Sequence, residues 1–163
     1  MQNGDFSQGT TGWSAAGVSF TVNNGEVTLT VNTDILAAKF IRPHPNLNFI
    51  QGHKYYYAGT LKNISASGAL LSIDNSYSNA SLSNVFVTGT EWQRVSNIYT
   101  YSDNVSSLRF CIRIHNNQKT GVQIAAKDII CVNLTALYGK GNEPTVAEFE
   151  AQYPDDYYPY CPL

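Results

Sequence analysis

Leu108 to His115 reads LRFCIRIH, two interleaved sets of residues with different chemistry. Leu108, Phe110, Ile112 and Ile114 are apolar, and Arg109, Cys111, Arg113 and His115 alternate with them. A strand repeats every two residues, so the sets face opposite sides of a sheet. One side suits a core. The other carries two guanidinium groups, a thiol and an imidazole in a row, all able to donate hydrogen bonds. Such a row fits a solvated sheet surface or the floor of a polar ligand groove. It does not fit nucleophilic catalysis. Cys111 and His115 lie four residues apart, about 13 Å along a strand, too far for a nucleophile and its base.

Other catalytic patterns are missing too. The acidic residues fall mainly in turns or near the C-terminus, with no spacing that sets two carboxylates across a cleft. There is no G-x-S-x-G elbow, H-E-x-x-H pair or P-loop. The chain therefore reads as a non-enzyme.

The elements that must hold this row read as strands. Glu91 to Asn117 forms two strand-like runs joined by a polar turn, expected as a central pair. Val18, Phe20 and Val22 alternate, Asn23-Asn24-Gly25 turns, and Val27, Leu29 and Val31 alternate again, a hairpin signal. Ile35 to Ile41 is a further candidate, and Pro43 and Pro45 imply an exposed connection over 42–52. His53 to Asn63 sets Tyr55, Tyr57 and Leu61 on one face and Tyr56, Thr60 and Lys62 on the other. Ala69 to Ile73, the loop Asp74 to Asn79, Leu82 to Val87 and finally Val122 to Leu134 follow.

About nine short strands with polar turns predict an all-β fold, an antiparallel β-sandwich or jelly roll. One short C-terminal helix is expected after Pro144, where Thr145 and Glu148 have capping-box spacing, with Pro154 as its stop. Domain organisation follows: residues 1–138 form the sandwich, and 139–163 a loop, a helix and a Tyr/Pro-rich strap through Tyr157, Tyr158 and Tyr160. Phe6 and Trp13 anchor a glycine-rich N-terminal loop, and Trp92, Tyr99 and Tyr101 read as packing residues.

Composition narrows the partners. The 163 residues suffice for one core, and the net charge of -2 with few charged residues leaves no basic footprint for nucleic acid or anionic lipid. No apolar run is long enough to enter a membrane as a helix, and no signal peptide is visible. Met1 directly precedes the first motif, as in a module excised from a larger protein. An odd cysteine count leaves at least one thiol unpaired, and Cys111, Cys131 and Cys161 are expected to be free.

Four stretches taken together carry a resemblance: NGDFSQGTTGW at 3–13, GHKYYYAG at 52–59, TEWQRV at 90–95 and IRIH at 112–115. They resemble the galactose-binding-like jelly roll, and among its members carbohydrate-binding modules of families four, nine and twenty-two. The likeness spans residues 3 to about 134. LTALYGKGNEPTVAEFEAQYP at 134–154 is similar to a segment that recurs beside such domains in tail and surface proteins of phages and prophages.

The resemblance implies two packed sheets gripping a glycan. It places His115 where related modules have a binding-face histidine, with Arg109 and Arg113 on its face and Tyr77 in a loop where relatives offer an aromatic. Relatives with a strong cleft carry a tryptophan near Thr33. Some relatives hold a structural calcium, and Gly4 or Asp5 and Asp128 match that pattern, whereas Ser7 stands where the glutamate would be.

The implied function is a non-catalytic carbohydrate-binding module attaching a larger extracellular or phage tail protein to a polysaccharide or cell-surface glycan. The alternative is a structural or interaction domain of a phage tail or adhesin that binds no sugar. Either function places the chain outside the cell or on a virion.

Overall fold

The computed structural model describes residues 3–34, 39–102, 104–105, 107–115 and 118–153. Among these lie ten strands and two short helices, in two antiparallel five-stranded sheets. In chain order the strands are β1 (Trp13–Ala16), β2 (Val18–Asn23), β3 (Glu26–Val31), β4 (Phe40–Pro43) and β5 (Lys54–Asn63). Then come β6 (Ala69–Asn75), β7 (Ser81–Val87), β8 (Gln93–Thr100), β9 (Leu108–Ile114) and β10 (Gln123–Asn133). Sheet A has the order β1-β4-β9-β6-β7, and sheet B the order β2-β3-β10-β5-β8. The fold is an all-β sandwich.

The inner faces make the main core. Phe110, Ile112 and Ile114 from β9 and Leu71 and Ile73 from β6 pack with Leu29, Tyr55, Tyr57, Leu61 and Ile124 from sheet B. Period-two alternation in β3 buries Val27, Leu29 and Val31 in turn. The β2–β3 hairpin closes through Asn24 and Gly25, both at positive φ, as a two-residue hairpin turn requires.

The outer face of sheet B is also covered. Tyr56, Ala58 and Val132 form a second apolar cluster with Leu134 of α1 (Leu134–Tyr138) and Phe149 of α2 (Val146–Gln152). The predicted capping box is present. The Thr145 hydroxyl accepts from the Glu148 amide at 3.3 Å, and the Glu148 carboxylate accepts from the Thr145 amide at 2.8 Å.

Four expectations need correction. The run Glu91 to Asn117 is no hairpin: β8 is an edge of sheet B, and β9 is the middle of sheet A. There are two helices rather than one, because the chain leaves β10 directly into α1, where the Asn133 side chain caps the Ala136 amide. Pro43 closes β4 and is buried instead of starting an exposed connection, paired with Trp13 at a strand end where no ladder donor is needed. Asp74 belongs to β6 and not to a loop. Cys111 and Cys131 are buried free thiols. Cys161, Pro154, the Tyr157–Tyr160 strap and the start of the Ile35 strand lie outside the described residues.

Candidate functional site

The polar side of β9 faces outward from sheet A, and the register shows what meets it there. Phe40 of β4 and Leu70 of β6 lie opposite Arg113, Ser72 opposite Cys111, and Asp74 opposite Arg109. One strand further, Phe86 stands opposite Leu70 and Asn84 opposite Ser72. A period-two reading thus assembles one face from four strands, β4, β9, β6 and β7.

The row is not an open wall of donors. Arg109 and Arg113 keep 6% and 7% of their surface exposed, and Cys111 and Asp74 keep none. Asp74 gathers both arginines: its Oδ2 is 2.8 Å from Arg113 Nη1 and 3.6 Å from Arg109 Nη2. Arg109 also donates to Asn79 Oδ1 at 2.5 Å and lies 4.3 Å over the Phe40 ring. Burial with good partners is how a protein tolerates such charges. Burial, with the Asp74 charge added, pushes the Cys111 thiol well above its ordinary range. A neutral buried thiol is no nucleophile.

Four buried polar atoms of this face have no hydrogen-bond partner among the described residues. They are Ser14 Oγ, Ser72 Oγ, Asp74 Oδ1 and Arg109 Nε. Each has almost no accessible surface, so none is open to a ligand from outside.

The exposed margin lies along β7. Phe86 is 43% exposed, and its ring meets that of His115 edge-on at 5.4 Å. His115 is exposed, with Nδ1 3.5 Å from Ser67 Oγ. Gln118 holds Ser67 from both sides, donating to its hydroxyl at 2.8 Å and accepting from its amide at 3.4 Å. Tyr77 is 79% exposed in the β6–β7 loop, which the Asn75 side chain fixes by accepting from the Tyr77 and Ser78 amides. The structure therefore places Arg109 and Arg113 together in a buried floor. It sets His115 at the rim and Tyr77 beyond the far end of β7.

Phe86, Asn84 and Asp74 were not singled out from the sequence. Leu82, Asn84 and Phe86 do alternate with Ser83, Val85 and Val87, and that was the available signal.

The calcium pattern does not assemble into a cage. The Gly4 carbonyl reaches the β10 bulge that holds Asp128, but it accepts from the Ile129 amide at 2.9 Å. The Asp5 carboxylate is turned onto the Ser7 amide and hydroxyl. Among the described residues no three His, Cys, Asp or Glu side chains are grouped to hold a metal.

No protein-family model matches the chain, and no curated protein matches it by sequence. Solved structures do match. A family 4 carbohydrate-binding module aligns with TM-score 0.61 at 14% identity, covering 81% of this chain and 98% of that one. The C-terminal family 22 carbohydrate-binding module of Clostridium thermocellum Xyn10B gives 0.57 at 14%, covering 82% and 95%. The enzymatically active domain of bacteriophage CBA120 tailspike protein 4 gives 0.57 at 15%, covering 82% of this chain and 21% of that one. The jelly roll of carbohydrate-binding modules is thus the fold of this chain.

Proposed function

We propose that the chain is a non-catalytic carbohydrate-binding module. It attaches a larger extracellular or phage tail protein to a polysaccharide or cell-surface glycan through the outer face of sheet A. The observation that carries this reading is the exposed margin of β7, where Phe86, His115 and Tyr77 stand beside uncharged hydrogen-bonding groups. A sugar hydroxyl both donates and accepts, so a polyol suits the Asn84 amide and the Ser67 and Ser81 hydroxyls along this margin. Phe86, His115 and Tyr77 offer ring faces for the apolar C–H side of a pyranose. Arg109 and Arg113 form the floor. The proposal includes no cofactor.

Affinity is expected on the order of micromolar to millimolar, since a shallow polar site loses much of its gain to desolvation. A glycan array identifies the sugar, and retention in a polysaccharide-containing native gel measures it. His115→Ala should weaken retention while leaving the melting temperature unchanged. Equal retention of this variant and the wild type on every positive glycan removes His115 from the site, and an array with no positive glycan rejects the function.

The second reading, a structural domain of a phage tail or adhesin, is favoured by the likeness to a tailspike.

A further inference from the structure

The array of exposed groups on sheet A has a direction, and that direction says what kind of glycan fits. Of the six large apolar side chains exposed among the described residues, three, Tyr77, Leu82 and Phe86, belong to β7 or the loop that leads into it, and Ile50, Ile64 and Leu137 lie elsewhere. β7 itself, Ser81 to Val87, carries no charged residue. Between its ends the Asn84 amide donates to the Ser81 hydroxyl at 3.2 Å, leaving the amide oxygen and a second N–H. Phe86 thus stands near one end of the strand and Tyr77 in the loop before the other, with neutral hydrogen-bonding groups between.

The Phe86 end is built rather than incidental. Gly68 carries no side chain where the ring lies. A Cβ placed there would come 2.2 Å from Phe86 Cζ and 2.3 Å from Cε2, far inside contact distance. The His115 amide donates to the Gly68 carbonyl at 3.0 Å and brings the imidazole edge-on to the same ring. Gly68 is therefore the seat on which Phe86 is held, and its own backbone needs no left-handed conformation.

We infer that the ligand is a linear, neutral oligosaccharide lying along β7, stacked at one end on Phe86 and at the other on Tyr77. Gly68 acts as the positioning residue for the Phe86 platform. The inference rests on the proposed function and sharpens it. From Ser81 to Phe86 the strand runs about 17 Å, more than one sugar ring can cover. A single sugar engages one platform, and a longer chain engages both. A second copy of this chain pairing along β7 is the competing occupant, and its signature is concentration-dependent dimerisation without any sugar.

The test is calorimetric titration with a length series, from the single sugar upward, cut from the polysaccharide that the wild type retains. Affinity is expected to rise with length and then level off. Phe86→Ala and Tyr77→Ala should each weaken the longest member by about 10-fold, as loss of a binding hot spot does. Tyr77 is so exposed that its loss leaves folding intact. Gly68→Ala should match Phe86→Ala, because its new methyl group displaces the ring. In the double variant Gly68→Ala with Phe86→Ala, the second change should cost nothing further, since no ring remains to displace.

Equal affinity for all lengths, or additive losses at Gly68 and Phe86, overturns the inference while sugar binding itself stands. Dimerisation through β7 that glycan does not reverse overturns it too. If the wild type retains no polysaccharide, the proposed function fails first and takes this inference with it.

Discussion

Asp74 holds the floor of the site together, and it does so at a cost that makes its partners inseparable. Its carboxylate has no exposed surface and faces two guanidinium groups that are themselves nearly buried. Removing one partner of a buried pair strands the other charge, at about 3–5 kcal/mol. Arg113→Ala is therefore expected to lower stability by that amount in urea unfolding. His115→Ala, at an exposed position, should stay within about 0.5 kcal/mol of the wild type. An Arg113→Ala domain as stable as the wild type would show that the 2.8 Å contact is not structural. It follows that lost glycan retention in Arg113→Ala reports folding as much as contact, whereas Phe86 and His115 report contact. Sequence reading put Arg109, Arg113 and His115 on one face, and they do share it. It could not see that Asp74 closes over two of them. The run Asp74-Asn75-Ser76-Tyr77-Ser78-Asn79 is rich in turn-forming residues, and the bulge that keeps Asp74 in β6 opposite Ser81 leaves no pattern in composition.

At the scale of elements, alternation revealed faces but not partners. β9 was legible because its two sets differ so much in polarity, and the β2–β3 hairpin because Asn24-Gly25 is a turn signal with a backbone cause. The passage from β8 in one sheet to β9 in the other was not legible. A sandwich strand looks the same whether its neighbour in sequence pairs with it or crosses to the opposite sheet. α1 was missed because five residues directly following a strand hold too little periodicity.

What fixes α1 and the following loop is Glu143. Its Oε1 accepts from the Thr135 hydroxyl at 2.7 Å, and its Oε2 accepts from the Gly141 amide at 2.9 Å and from Lys54 Nζ at 3.4 Å. The Thr135 hydroxyl first, then the backbone amides and Lys54, hold its carboxyl down from 4.5 to about 2. A carboxylate depressed on folding stabilises the protein fully above its unfolded value and loses that contribution as pH falls through the folded one. The urea midpoint should therefore fall between about pH 5 and pH 2, and more shallowly in Glu143→Gln. Parallel pH profiles for the two proteins would remove Glu143 from the anchor.

For the whole molecule the two sheets divide the work. Helices and a second apolar cluster cover the outer face of sheet B, whereas sheet A exposes the β7 margin beside its buried polar floor. An edge strand without Lys or Pro is also a template for another chain. A net charge of only -2 gives little repulsion to oppose that. Binding glycan and building an assembly through β7 compete for the same surface, so one measurement separates the two functions. If the sheet A face is a sugar site, the pure domain should sediment as a monomer across a wide concentration range. It should stay monomeric when the retained oligosaccharide is added. A stable trimer or hexamer that shields Phe86 from solvent, read from its proton exchange or oxidative labelling, would leave no room for a glycan along β7. The sandwich would then be a building block whose neutral, aromatic edge was made for protein.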